Sequence, residues 1–383
     1  MTQPVRHHGM DRLRIGAFAI LILYHIGMVF SPWPYHVKSD HVVRYATAPM
    51  LAVNAWRLSL LFVVSGYATR ALLGRSLDAS AFLKNRSYRL LLPLAFGMAV
   101  LVPPQAWVEL VTKHGYEQGF LHFWSDDYWS FRPIGGIGLP TWNHLWFLAY
   151  LWVYTVPVPV ALGSGLLRRS LQPAFDRAFG GVGVLLIPIA WLIVVHGWWL
   201  QFAAETHALA GDWVAHASYL PAFLFGFGLA GSPATMRAIG RWWPAGALLA
   251  VAGYAFIVGV ETEWIAFRPA LVPIYGAAHA LEQWGAIMAL IGIADRWWNR
   301  PAPRDLIEAV FPFYLVHQTI IVVIAWALLG RGLPAAAEFA ILVAATVAGC
   351  LGFYYGGRSV PWLRPLIGLR RRRPVPRAVP ALI

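Results

Sequence analysis

The chain has 383 residues, 59% hydrophobic, 15% aromatic and only 12% charged. Soluble domains carry about 25% charged residues, so the composition excludes an ordinary globular enzyme and points to an integral membrane protein. The net charge of +13 is scattered between apolar runs, which argues for the lipid bilayer and against nucleic acid as partner, and the single Cys350 excludes an internal disulfide and a cysteine metal site.

Apolar stretches of helical length fall at 14–33, 46–73, 88–111, 142–162, 182–200, 217–231, 242–260, 272–294, 307–330 and 336–357. They predict an all-α fold, a polytopic transmembrane bundle of about ten helices. The first stretch follows basic residues as a signal peptide would. Ser31-Pro32-Trp33-Pro34-Tyr35 in place of a small-residue cleavage site predicts an uncleaved span. One transmembrane domain over 1–369 and a basic cytoplasmic tail over 370–383 account for the chain. With the N-terminus placed in the cytoplasm, 23 of the 30 Lys and Arg fall in cytoplasmic segments. The positive-inside rule turns this into a multi-pass protein with both termini cytoplasmic.

In chain order, the first span carries Arg14 and His25, eleven positions apart and so about 16 Å apart along one helix. An ionisable side chain at that depth is costly unless it faces a polar interior. A neutral imidazole suits general-base work near neutral pH; the structural alternative is a histidine hydrogen-bonded between helices. Ser65-Gly66 in the second span is no nucleophile elbow and reads as a small pair for close helix approach. Arg14, Arg70, Lys84, Arg86 and Arg89 converge on the cytoplasmic ends of the first three spans. Retention charge explains such residues, but Arg86 and Arg89 share a face, and arginine forks bind phosphate.

The connection over 104–141 is the longest, and its aromatics and acids, among them Asp126, Asp127 and Trp129, suit sugar rings. An interfacial aromatic belt predicts the same residues. Glu282 and His279 share a face of the eighth span, where the carboxylate needs a partner such as His25, His317 or Arg57. His317 lies at a depth matching His25. No P-loop, Rossmann glycine motif or zinc-ligand spacing appears, so metal and nicotinamide chemistry have no support.

Five motifs then recur in order: Arg14-x10-His25; Phe62-Val63-Val64-Ser65-Gly66-Tyr67; Phe82-x3-Arg86-x2-Arg89-x3-Pro93; His144-Leu145-Trp146-Phe147-Leu148; and Tyr314-Leu315-Val316-His317. Together they resemble the membrane-bound acyltransferase 3 family. The stretches Leu23-Tyr24-His25-Ile26-Gly27-Met28-Val29-Phe30, Trp56-Arg57-Leu58-Ser59-Leu60-Leu61-Phe62, Gly66-Tyr67-Ala68-Thr69-Arg70 and Pro103-Pro104-Gln105 are similar to its glucan biosynthesis protein C branch.

The resemblance implies an inner-membrane O-acyltransferase that uses cytoplasmic acyl-CoA as donor and acylates a carbohydrate at or beyond the outer face. In the named branch the acyl group is succinyl and the acceptor a periplasmic glucan. It implies His25 as the essential histidine, with Arg14 beside the donor. Asn143-His144 stands where that branch is expected to have a second histidine. The site residues expected from motif and position are then His25, His317 and Glu282 for catalysis, and Arg14, Arg70, Arg86 and Arg89 for acyl-CoA. His144, Trp146, Asp126, Asp127 and Trp129 are expected at the acceptor, with no metal. A homo-oligomer is compatible with this picture. The rival function is a proton-coupled transporter or flippase using buried His and Glu as a relay, and a weaker one a non-catalytic membrane scaffold. A transporter needs no coenzyme A site.

Overall fold

A computed structural model describes residues 7–74, 78–159, 165–197 and 205–371, with the backbone alone for 165–169. The elements are α1 (His8–Phe30), α2 (Thr47–Asn54), α3 (Arg57–Leu73), α4 (Ala79–Phe96) and α5 (Pro103–His114). Then come α6 (Trp146–Thr155), α7 (Gly165–Phe179), α8 (Gly183–Gly197) and α9 (Trp213–Leu229). The series closes with α10 (Pro233–Glu261), α11 (Val272–Trp297), α12 (Arg304–Leu328) and α13 (Ala335–Ser359). One two-stranded hairpin, Pro133–Ile134 against Ile137–Gly138, turns through Gly135 and Gly136, whose positive φ values the turn requires.

The all-α prediction holds; the count of ten spans is not confirmed. Among the described residues seven helical segments are long and apolar enough to cross a membrane, or eight if α7 and α8, bent by 91° at their junction, form one broken span. Among the described residues, the stretches predicted at 142–162 and 217–231 carry the shorter helices α6 and α9. The span predicted at 46–73 is two helices. Its break at Ala55–Trp56 is tolerated because side chains take up the carbonyls it frees: Arg57 Nη1 donates to Asn54 O at 2.8 Å and Trp56 Nε1 to Ala52 O at 2.7 Å. The span predicted at 88–111 runs instead from Ala79 to His114 through a π-helical stretch at Gly97–Leu101. The first part of the expected long connection is therefore α5.

Contacts sort the helix ends into two sets. At the end bearing the chain's N-terminus, Arg12 donates to the carbonyls of Arg300 and Pro301, Arg14 Nη2 to Ile307 O, and Arg358 pairs with Asp305. Arg371 Nη2 donates to Tyr88 Oη, so the start of the basic tail folds back on α4; 372–383 lies outside the described residues. At the opposite end Arg44 pairs with Glu263, and Ser39 Oγ donates to Glu338. Buried Leu, Phe, Tyr and Trp side chains of α1, α3, α6, α9, α11 and α12 fill the core between the two ends.

Close helix approach sets much of this packing. A Cβ on Gly66 of α3 would lie 1.9 Å from Phe223 O, and one on Gly226 of α9 1.9 Å from Val63 O. The two backbones therefore touch reciprocally through glycine, as the small Ser65-Gly66 pair suggested. Gly66→Ala should destabilise by about 1–3 kcal/mol. Gly16→Ala, where a Cβ meets nothing within 4 Å, should be neutral or stabilising. Thermal midpoints in detergent compare them, and a Gly66→Ala midpoint equal to that of the unchanged protein would contradict the packing.

Candidate active site

A cavity of about 490 Å³ sits among α1, α3, α6 and α12. The segments Pro34–His36, 141–143 and 206–207 contribute to its lining, so it lies toward the end opposite the N-terminus. His25 and His144 line it together with Tyr24, Arg57, Trp146 and Gln318.

The hydrogen bonds of the histidines fix their protons. His317 Nδ1 lies 2.8 Å from Tyr314 O and 3.2 Å from Phe313 O, on its own helix. A carbonyl only accepts, so Nδ1 carries the proton and the neutral ring offers the Nε2 lone pair. That lone pair receives a hydrogen bond from His25 Nδ1 at 2.8 Å. With its own proton on Nδ1, neutral His25 keeps a lone pair on Nε2, to which no side chain or carbonyl among the described residues is hydrogen-bonded. One backbone carbonyl of α12 thus determines, through His317, which nitrogen of His25 is basic. The arrangement parallels the way an orienting partner fixes the tautomer of a catalytic histidine. The rings of His25 and His317 stack at 5.1 Å, and His317 is 0% exposed. His317 therefore fixes the orientation of the His25 ring.

His144 stands edge-on to His317 at 5.1 Å. Its Nε2 donates to Leu315 O at 3.2 Å, while its Nδ1 is buried with no hydrogen-bond partner. Trp146 lies against His207, ring on ring at 4.1 Å. His207 is held by Asp212, whose Oδ2 accepts from the backbone N–H of His207 at 2.6 Å and from Tyr150 Oη at 2.7 Å. Burial raises the Asp212 pKa, but the Tyr150 hydroxyl and the backbone N–H donors outweigh it and hold the carboxyl below its ordinary range.

A second polar chain, which the sequence did not reveal, borders the cavity. His36 Nδ1 donates to Glu109 Oε2 at 2.5 Å, and Gln318 Nε2 donates to His36 Nε2 at 2.8 Å. Gln318 Nε2 and Asn143 Nδ2 both donate to Gln105 Oε1, each at 3.1 Å. Gln105 appeared only inside a motif, and His36 was not singled out. Nothing in their spacing joins residues 36, 105, 143 and 318. The one available signal was Gln318 following His317.

Several expected residues are elsewhere. Glu282 is 2% exposed on α11 beside Gly253 of α10, whose missing Cβ admits the Glu282 backbone. Neither of its oxygens has a hydrogen-bond partner among the described residues, so His25, His317 and Arg57 are not its partners. Asp127 accepts from Tyr116, Asp126 is exposed and Trp129 packs on Tyr128; none of the three lines the cavity. In the basic cluster, Arg86 is within electrostatic range of Arg89 and Arg14. Arg70 is turned away from them, donating to Gln172 Oε1 at 2.5 Å and stacking on Phe227.

No metal-binding group of three or more His, Cys, Asp or Glu occurs among the described residues. Comparison with curated proteins and with solved structures gives no match. Residues 7–355 match the acyltransferase 3 family, described as an acyltransferase domain. That match covers nearly the whole chain and both histidines of the pair, and the chain belongs to the acyltransferase 3 family of membrane acyltransferases.

Proposed function

We propose that this membrane acyltransferase moves a short acyl group, acetyl or succinyl, from acyl-CoA to a hydroxyl of a carbohydrate such as a periplasmic glucan. The reading is carried by one observation: the Nε2 lone pair of His25, left unbonded by the protein, belongs to a residue lining a polar, aromatic-walled cavity. His25 would take the proton of the acceptor hydroxyl as the oxygen attacks the thioester carbonyl. The tetrahedral adduct would collapse with cleavage of the carbon–sulfur bond, and the imidazolium would return the proton to the departing thiolate. Acid–base balance is restored within one turnover. Trp146 and His207 line the cavity and would border a bound sugar.

The donor's phosphates would sit at Arg14, Arg86 and Arg89, at the end bearing the chain's N-terminus. Arg14 and His25 are separated by about 16 Å along α1, a gap the extended pantetheine arm of coenzyme A bridges. The charge asymmetry supports a cytoplasmic location for that end and for both termini in the inner membrane.

His25→Ala should lower acyl transfer by about 10²–10⁴-fold while leaving the thermal midpoint and donor binding near their original values. His317→Ala, which removes the acceptor for His25 Nδ1–H, should cost roughly 10–100-fold in turnover with little change in donor KM. Near-normal turnover in purified His25→Ala would reduce the pair to packing.

Arg86→Gln and Arg89→Gln should raise donor KM by about 10- to 100-fold more than they lower kcat, because ground-state contacts are lost. The tail arginines are poor controls, since Arg371 lies on Tyr88 next to Arg89. Arg237, exposed on α10, serves instead. Equal small effects at Arg86, Arg89 and Arg237 would make the cluster topological.

A further inference from the structure

Arg57 is the cavity residue for which the proposed chemistry has no use. It is 9% exposed at the start of α3. Its guanidinium lies over the Tyr24 ring, 3.6 Å from the centroid, and Nη1 is tied to the carbonyl and side-chain oxygens of Asn54. Asn54 is in turn held by Tyr24 Oη at 3.0 Å. One face and one edge of the fork are therefore fixed by the protein. The other edge is not: Nε is buried with no hydrogen-bond partner among the described residues. No carboxylate among the described residues pairs with Arg57.

A guanidinium stripped of water and left without an anion is costly, and the cost is recovered only when an anion arrives. The N–H groups of Nε and Nη2 run parallel, which is the donor pair that a carboxylate meets with both oxygens. We propose that Arg57 is a carboxylate-binding subsite of the cavity, so that the substrate brings a planar carboxylate to it, borne either by the acyl group or by the acceptor sugar. Tyr24 and Asn54 hold the fork in place beforehand, so little ordering is needed on binding. This inference deepens the acyl-transfer reading and rests on it for the names of the two substrates.

The test uses the full-length protein in detergent with matched probes. Succinyl-CoA is compared with butyryl-CoA, of similar length without the carboxylate. Glucuronate is compared with glucose, and succinate with succinamide. Binding is followed by thermal stabilisation in the unchanged protein, in Arg57→Gln and in Arg57→Lys. The carboxylate member of at least one acyl or sugar pair should bind about 10- to 100-fold more tightly, with the preference lost in Arg57→Gln and partly kept in Arg57→Lys. Discrimination in the coenzyme A pair assigns the carboxylate to the acyl group, and in the sugar pair to the acceptor. Undiminished butyryl-CoA binding by Arg57→Gln shows that the variant is folded. If it is not folded, Arg57→Lys carries the comparison.

Acyl-CoA binding with no Arg57-dependent preference in any pair would overturn the subsite and leave the donor reading intact. Absence of all acyl-CoA binding, with Arg57-dependent stabilisation by succinate or glucuronate retained, would overturn the donor reading and support the subsite.

Discussion

A histidine pair enclosed by apolar helices has few ways to place its protons, and here the backbone decides. The carbonyl of Tyr314 can only accept, so His317 must donate from Nδ1, His25 must donate to His317, and the lone pair remaining on His25 Nε2 is set before any substrate arrives. Removing water from these rings makes each unsatisfied donor expensive, so the pattern is enforced more strongly than in solvent. The packing of α1 against α12 brings the two rings together, and the preset lone pair exists only while that interface holds.

The same economy of polar groups shapes the surroundings. The break between α2 and α3 frees carbonyls that Trp56 and Arg57 cover, and the fork of Arg57 comes to rest on Tyr24 as a result. The π-helical stretch before α5 leaves Leu101 O to accept from Thr319 Oγ1 at 2.6 Å, beside the Gln105–Gln318 contact. Irregular backbone at the α2–α3 break and before α5 thus occurs where it has polar partners. Elsewhere, as along Gly66 and Gly226, the helices simply touch.

Much of the fold could be read directly, because hydropathy and length report on each helix separately. The depth of His25 and its match with His317 followed from counting residues along helices, and the two rings do meet. What spans three or four helices could not be read. The chain from Glu109 through His36, Gln318 and Gln105 to Asn143 depends on how helices rotate about their axes, which period and composition leave open. The surroundings of Glu282 could not be read for the same reason: its depth left its partner open, and its face of α11 packs toward α10. Asp126, Asp127 and Trp129 were selected by residue type alone, and residue type does not say which way a loop folds. The break in the 46–73 stretch lay hidden because Asn54-Ala55-Trp56-Arg57 contains neither Gly nor Pro.

The central claim is that a preset lone pair on His25 meets a donor anchored at the basic end of α1. A structure determined with a non-hydrolysable thioether analogue of an acyl-CoA tests it most directly. The account predicts the phosphates against Arg14, Arg86 and Arg89, and the acyl carbonyl in the cavity with space for a hydroxyl between it and His25 Nε2. Phosphates bound away from these arginines, or an acyl group lodged out of reach of His25, would contradict it.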